Sequence, residues 1–427
     1  MAENDLQGAM SRHLQALHRP NKEVIDIQGS GKFEYTDGRR DIADFLNDIF
    51  WYAKSIGVSD VHFQSTAHGC LIRMRHSDMK LQDYMYLNKK DAQAVERRLR
   101  AQSDGSDDDF RYTNESQILL VNSAKTKMLN IRISFKPTVF GQNIVCRILR
   151  EADEISLSKI EMDPELKALY LKVLSLENGL IVVSGPTGSG KTQTLMASLN
   201  ELDDSSKNIC TVENPVEIVK SGLNQTNVTP QISFAAALKN ILRQDPDVIL
   251  VGETNDEETA VIAVNAAHTG HMTLTTTHAN TAAGSLLRLM QLGAKHFELA
   301  DAIRCFFAQR LMKKLCPNCH HTIPAPKSRL PTRFPADSYA KLNPKGCMNC
   351  NGQGFIGRIP VFEMGFSSEK VRQAILDKSM AALQQALFEQ PTYRTLTEAA
   401  LELSRNRLVD FDDAVNVESS TDLLSEG

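Results

Sequence analysis

The segment that most restricts the fold of this chain is an apolar run, Leu180-Ile-Val-Val-Ser184. It passes directly into Gly185-Pro-Thr-Gly-Ser-Gly-Lys191-Thr192 and then into a helical stretch, Thr192 to Leu202. The eight-residue loop matches G-x-x-x-x-G-K-[ST] in full, and a strand before it with a helix after it is the context that pattern requires. Glycines let backbone N–H groups turn inward around phosphate oxygens, and the following helix adds the positive end of its dipole. Gly185, Pro186, Thr187, Gly188, Ser189, Gly190, Lys191 and Thr192 are therefore the candidate nucleotide-binding residues, with ATP and Mg²⁺ as the expected ligands. Lys191 is expected on the β- and γ-phosphates and Thr192 on Mg²⁺.

Nucleotide hydrolysis also needs acids. Arg243-Gln-Asp245-Pro-Asp247-Val-Ile-Leu-Val-Gly252-Glu253 carries one acid before an apolar strand and another just after it. Asp247 is the candidate metal-side aspartate, and Glu253 the candidate that orients and activates water. Glu213-Asn-Pro-Val-Glu217 adds two acids after another apolar stretch, which makes Glu213 the rival for the water-activating role. His268, His271 and His278 fall close together. H-x-x-H without a nearby acid is a weak metal signal, so His271 and His278 are read as polar groups reaching the nucleotide from the two ends of the run Met272–Thr276.

Of the eight cysteines, Cys70, Cys146, Cys210 and Cys305 lie in mainly apolar stretches and read as small buried hydrophobes. The other four form two pairs, Cys316-Pro-Asn-Cys319 and Cys347-Met-Asn-Cys350, separated by residues 320–346. Each pair makes a tight knuckle aiming two thiolates at one ion, so a closed, structural Zn²⁺ site with four thiolates is expected. Two matched pairs argue against a thioredoxin-like redox site.

The pattern along the chain divides it. Residues 1–40 have no sustained period and read as an extension. Asp41–Gly57 reads as an amphipathic helix on Ile42, Phe45, Leu46, Ile49 and Tyr52, with Gly57 at its stop. Short alternating runs at Val61–Phe63, Leu71–Arg75, Ile118–Val121, Asn130–Phe135 and Asn143–Leu149 read as strands of a small mixed α/β domain over 41–150. Ser103–Asp109 reads as a solvated acidic turn, and Glu151–Leu157 as a linker. From residue 158 to 427, continuous apolar runs alternate with helices, as in a parallel sheet covered on both faces. Val409–Gly427 carries six acids and no Lys or Arg, and reads as a frayed tail. With 48 Lys+Arg against 52 Asp+Glu, the chain is not a basic nucleic-acid coat. It contains neither a bilayer-spanning apolar run nor an apolar signal core, so a cytoplasmic location is expected.

These segments together resemble the traffic ATPases of type II secretion and type IV pilus assembly, over most of residues 41–400. The phosphate loop is followed in order by boxes similar to the family's: Thr211–Glu217, Asp245–Glu253, and Thr269-Gly-His271 through His278-Ala-Asn280. Ala308-Gln309-Arg310-Leu311 also fits, as does Gly357-Arg358 with Glu363. In the N-terminal region Ser59-Asp60-Val61-His62-Phe63, Asn130–Ser134, Pro137, Gly141 and Arg147 look like the family's small domain. Departures are Asn214 in place of an acid, Thr254-Asn255-Asp256 in place of apolar-Arg-Asp, and His76-Ser77-Asp78 in place of an Asp-Gly turn.

The resemblance implies a RecA-like P-loop ATPase domain over 158–427 with the tetracysteine zinc insert at 316–350, behind a PAS-like N-terminal domain. It also implies that Arg132 and Arg147 approach the phosphates. A guanidinium fork suits that charge. The implied function is an ATP-hydrolysing motor, active as a homo-oligomer of hexamer type. It would power assembly of a type IV pilus or type II secretion pseudopilus through an inner-membrane platform protein, attached to the membrane only through that partner. A retraction motor is the near alternative, and the tetracysteine insert argues by resemblance for assembly. A nucleic-acid-translocating ATPase would need a basic groove with stacking aromatics. With one Trp and 6% aromatic residues, no nucleic-acid partner is expected.

Overall fold

The structure is a computed structural model, and it describes residues 42–76, 81–102, 114–121, 128–149, 152, 155–229, 231–325, 327–331, 334–335 and 337–418. The extension read over 1–40 and the acidic turn at 103–109 lie outside the described residues. The chain divides into two compact units, Met1–Glu151 and Ala152–Gly427.

The first unit begins with α1 (Ile42–Ser55), whose Phe45, Leu46, Ile49, Phe50, Trp51 and Ala53 are buried, with Ile42 and Tyr52 packed at the margin. Gly57 follows at φ +76°, a conformation that lets the chain turn straight into β1 (Val58–Thr66). Then come β2 (Gly69–His76), β3 (Gln82–Asn88), α2 (Lys89–Ala101), β4 (Asn114–Val121), β5 (Met128–Thr138) and β6 (Gly141–Ile148). The strands pair antiparallel in the order β3-β2-β1-β6-β5-β4. One face, with Val61, Phe63, Ile72, Ile131, Ile133, Phe135 and Ile144, packs under the helices. Neither β3 nor α2 was expected from the sequence. The start of α2 has a local cause, since Asn88 accepts a 3.0 Å bond from the Asp91 N–H, a typical N-cap.

The second unit carries α3 (Pro164–Leu174), β7 (Gly179–Ser184), α4 (Lys191–Leu202), β8 (Ile209–Glu213), β9 (Asn224–Asn227), α5 (Phe234–Ile241), β10 (Val248–Val251), α6 (Glu257–His268) and β11 (Met272–Thr277). It continues with α7 (Ala282–Gln291), α8 (His296–Ala302) and β12 (Ile303–Leu315), then a small hairpin of β13 (His321–Pro324) and β14 (Ser338–Lys341). It ends with β15 (Phe355–Phe366), α9 (Glu369–Leu376), α10 (Met380–Phe388), α11 (Leu396–Arg405) and α12 (Phe411–Val415). The seven-stranded sheet runs β15-β12-β7-β11-β10-β8-β9, parallel throughout except for β15, which pairs antiparallel with β12. Strands β7, β8, β10 and β11 are buried along their whole length, which is why they read as unbroken apolar or Thr-rich runs.

The tail reading is corrected over residues 409–418. Val409, Phe411 and Ala414 are fully buried, and Asp410 caps α12 by accepting from the Asp412 N–H at 2.8 Å. Lys341 donates to Asp410 and Asp412, so these acids are tied down rather than repelling one another in solvent. The four scattered cysteines are buried, and burial raises each thiol, Cys70 to about 12.

Candidate functional site

Parallel pairing brings the carboxyl ends of β7, β11, β10 and β8 to one edge of the sheet, the edge where open α/β sheets bind ligands. The loop Gly185–Gly190 leaves β7 there, and α4 begins at Lys191 with Gly190 as its cap at φ +89°. A Cβ at Gly185 would lie 2.5 Å from the Gln309 backbone carbonyl, so the loop can approach β12 this closely only as glycine. Lys191 Nζ donates to the Gly185 and Pro186 carbonyls at 2.6 and 3.2 Å, which holds the ammonium over the loop. Burial and the nearby Arg310 charge lower the Lys191 pKa, against the opposing pull of Glu253 and Glu217. Thr192 opens the first turn of α4 beside it.

Glu253 follows β10 at the same edge. His278, the first residue after β11, bonds its carboxylate through Nε2. Burial works to raise the Glu253 carboxyl. Bonds from Asn255 and His278, with the charges of His278 and Lys191, more than offset this and hold it below the usual range. Two departures from the family pattern belong to this environment. Asn255 bonds Glu253, and the buried Thr254 hydroxyl pairs with that of Thr275 at 2.6 Å. Glu213 ends β8 at the same edge but is only 5% exposed; it accepts from the Thr211 hydroxyl at 2.7 Å. Burial raises its pKa.

Two site readings are corrected. Asp247 precedes β10 and His271 precedes β11, so both stand at the amino ends of parallel strands, opposite the phosphate loop. At about 3.3 Å per residue, Asp247 is about 20 Å along the chain from Glu253. Its carboxylate instead accepts from the Asn208 N–H at 2.7 Å, and His271 Nδ1 sits 3.0 Å from the Ala266 carbonyl. Both close turns at the far edge of the sheet.

Gln309 and Arg310 on β12 belong to the segment Ala308–Leu311, whose resemblance to the family gives them no individual role. The signal in the sequence is a Gln-Arg pair directly after the apolar run Cys305–Ala308. Ala308 pairs with Ser184, which carries the next two residues past the end of β7. Gln309 donates to the Ser189 carbonyl and accepts from the Thr194 hydroxyl, both at 2.9 Å, pinning the loop to the helix it precedes. Arg310 is 6% exposed and bonds Asn280 at its carbonyl and side-chain oxygens, at 3.3 and 3.2 Å.

In the first unit Arg132 and Arg147 are cross-strand neighbours, and Asp60 lies opposite Arg147. Arg147 Nε bonds Asp60 at 2.9 Å while most of its side chain stays exposed.

The four cysteine thiols lie within 4.8 Å of one another and are the one candidate metal group among the described residues. Sγ separations are 3.7 Å for Cys316–Cys347 and 3.8 Å for Cys319–Cys350 and Cys347–Cys350. A tetrahedron with metal–sulfur bonds near 2.3 Å has edges of about 3.8 Å, so the donor set fits a metal ion. Burial works against ionising Cys350. The Cys347 and Gly354 N–H groups, each 3.1 Å from its sulfur, help bring it down to about 6.

Residues 36–416 match the family model "Type II/IV secretion system protein". The type IV pilus assembly ATPase PilB of Pseudomonas aeruginosa is 35% identical over 378 residues, covering 86% of this chain and 66% of its own length. Type II secretion system protein E of Klebsiella pneumoniae is 32% identical over 381 residues, covering 88% and 76%. The chain thus spans slightly under two thirds of the Pseudomonas relative, and 60% of the Acinetobacter baylyi PilB. In fold it is similar to the Legionella pneumophila ATPase DotB, with a TM-score of 0.64 at 17% identity covering 91% of this chain and 98% of that one. It is also similar to the pilus retraction motor PilT, with a TM-score of 0.63 at 22% identity covering 89% and 98%. A nucleotide-type loop, an acid–histidine pair at the same sheet edge and this match over nearly the whole length agree: the chain belongs to the Type II/IV secretion system protein family.

Proposed function

We propose that the chain is an ATP-hydrolysing motor that powers assembly of a type IV pilus or a type II secretion pseudopilus. The observation that carries this reading is Glu253, held by His278 at the carboxyl edge of the sheet and facing Lys191. Gly185–Thr192 would hold ATP, with Lys191 toward the β- and γ-phosphates, and the Thr192 hydroxyl would hold Mg²⁺, which would offset charge developing on the phosphates. Glu253, ionised at neutral pH, orients a water. The water oxygen bonds to the γ-phosphorus as the bond to the β–γ bridging oxygen breaks, and its proton passes to the carboxylate. Glu213 suits this role less, because it is nearly closed off from solvent and already engaged by Thr211.

Arg132 and Arg147 supply positive charge to the phosphates, and the working form is a ring of hexamer type. The four thiolates would hold Zn²⁺ as a closed, structural ion. The location is cytoplasmic, at the inner membrane through a platform protein; no helix among the described residues is long and apolar enough to cross a membrane. Assembly is favoured over retraction because relatives at 35% and 32% identity carry assembly and secretion names, whereas the retraction motor is matched in fold. Mg²⁺-dependent phosphate release by the purified chain, compared with and without DNA, tests the reading. No release refutes it, and release dependent on DNA favours the nucleic-acid motor.

A further inference from the structure

The segment 278–282 is held at three points. His278 bonds Glu253, Asn280 receives the Arg310 guanidinium, and the Ala282 N–H donates to Glu363 at 2.8 Å. Glu363 lies on β15, directly opposite Ala308 of β12, and is 2% exposed. Its Oε1 also accepts from the Tyr393 hydroxyl at 3.0 Å, and its Oε2 from the Leu396 N–H at 3.4 Å. Ala282 is the first residue of α7 and Leu396 the first of α11, so one buried carboxylate faces the positive ends of two helices. Burying a carboxylate is costly unless it is well hydrogen-bonded. Here every bond it accepts comes either from the segment behind His278 or from the C-terminal helical region.

We propose that Glu363 and Arg310 are positioning residues that lock the 278–282 segment, and through His278 the Glu253 carboxylate, to the helices that follow Tyr393. This rests on the reading of Glu253 as the water-orienting acid. Neither residue needs to touch the reacting atoms. Arg310 fixes the segment from the β12 side, and Glu363 ties its far end to Tyr393 and Leu396. A shift of the C-terminal helices therefore moves the His278–Glu253 pair, and the reverse also holds.

The test uses Glu363→Gln and Tyr393→Phe in the full chain, with two readouts. The first is amide hydrogen exchange across residues 278–286 without nucleotide. The second is kcat and KM for ATP. The amide of Glu363→Gln cannot accept at both of its former oxygens, so exchange at 278–286 accelerates. Its kcat falls about tenfold with KM within about twofold, as expected for misplacement of a group acting in the transition state. Tyr393→Phe keeps the ring and its packing on Phe388 and loses only the hydroxyl, so it shifts both readouts the same way, by about threefold. Should Glu363→Gln fail to fold, Tyr393→Phe decides. Unchanged exchange and kcat within about twofold of the parent, even with a lowered melting temperature, would reduce Glu363 to a fold-stabilising cap and overturn the proposal. If the parent chain itself releases no phosphate, the motor reading fails, and the exchange readout still judges the lock.

Discussion

Gln309→Leu is the perturbation whose size follows most directly from the geometry. Gln309 is 1% exposed, and its side chain makes two bonds, to the Ser189 carbonyl and from the Thr194 hydroxyl. Leucine fills nearly the same volume and makes neither. A buried polar group left unsatisfied costs about 1–3 kcal/mol. The Thr194 hydroxyl recovers part of its loss by turning back to the Gly190 carbonyl one turn earlier, which puts its share at the low end. The Ser189 side-chain oxygen is already buried without a partner, so the carbonyl loss falls on a residue with no reserve. The sum is about 2–4 kcal/mol, localised in the phosphate loop and the first turns of α4. At a factor of ten per about 1.4 kcal/mol, amide exchange across residues 186–198 accelerates about 30- to 700-fold. Exchange mass spectrometry reads this directly. Fluorescence of Trp51, the chain's single tryptophan and a core residue of the first unit, serves as the control and stays unchanged. Exchange within about threefold of the parent would refute the view that Gln309 pins the loop.

Cys347→Ser lowers the bound metal from one ion per chain to a small fraction, measured by elemental analysis, and leaves nucleotide affinity within about threefold, because the thiols belong to the segments that follow β12 and precede β15 and none lies in Gly185–Thr192. Asp247→Asn keeps kcat within about twofold, since Asp247 stands at the opposite sheet edge, while the melting temperature drops from the weakened bond to Asn208. The pH profile separates the two candidate acids. Glu253 is held below the ordinary carboxyl range, so its ionised form persists as pH falls and is lost only beneath that range. Glu213 is held above it, so activity depending on Glu213 would already fall as pH drops toward that range from above. The lower limb is expected, read from initial rates in a stability-controlled buffer series.

Much of the site was legible because its signals are local. A glycine loop after an apolar run specifies strand, turn and helix within a few residues, and paired Cys-x-x-Cys knuckles specify a donor set regardless of what surrounds them. The two misplaced residues show where local reading stops. VILV carries an acid at each end, and the sequence does not say which end faces the loop; the parallel pairing of β10 with β11 and of β11 with β7 decides for Glu253 over Asp247. The same pairing separates His278 from His271. Gln309, Arg310 and Glu363 sat inside recognisable segments, yet their roles depend on β12 lying against β7 and β15, contacts between residues far apart in sequence. The unexpected β3 and α2 failed for another reason. β3 buries only Leu87, and α2 is largely charged and buries just Val95 and Leu99, so neither carries enough apolar residues to stand out in the sequence.

The central claim, that Gly185–Thr192 and Glu253 hydrolyse ATP, is tested most directly by steady-state phosphate release from the parent chain, Lys191→Ala and Glu253→Gln, each with a parallel nucleotide-binding measurement. The parent releases phosphate in a Mg²⁺-dependent way. Lys191→Ala loses both binding and turnover, and Glu253→Gln still binds ATP while its turnover falls about a hundredfold or more. Turnover by Glu253→Gln equal to that of the parent would contradict the claim.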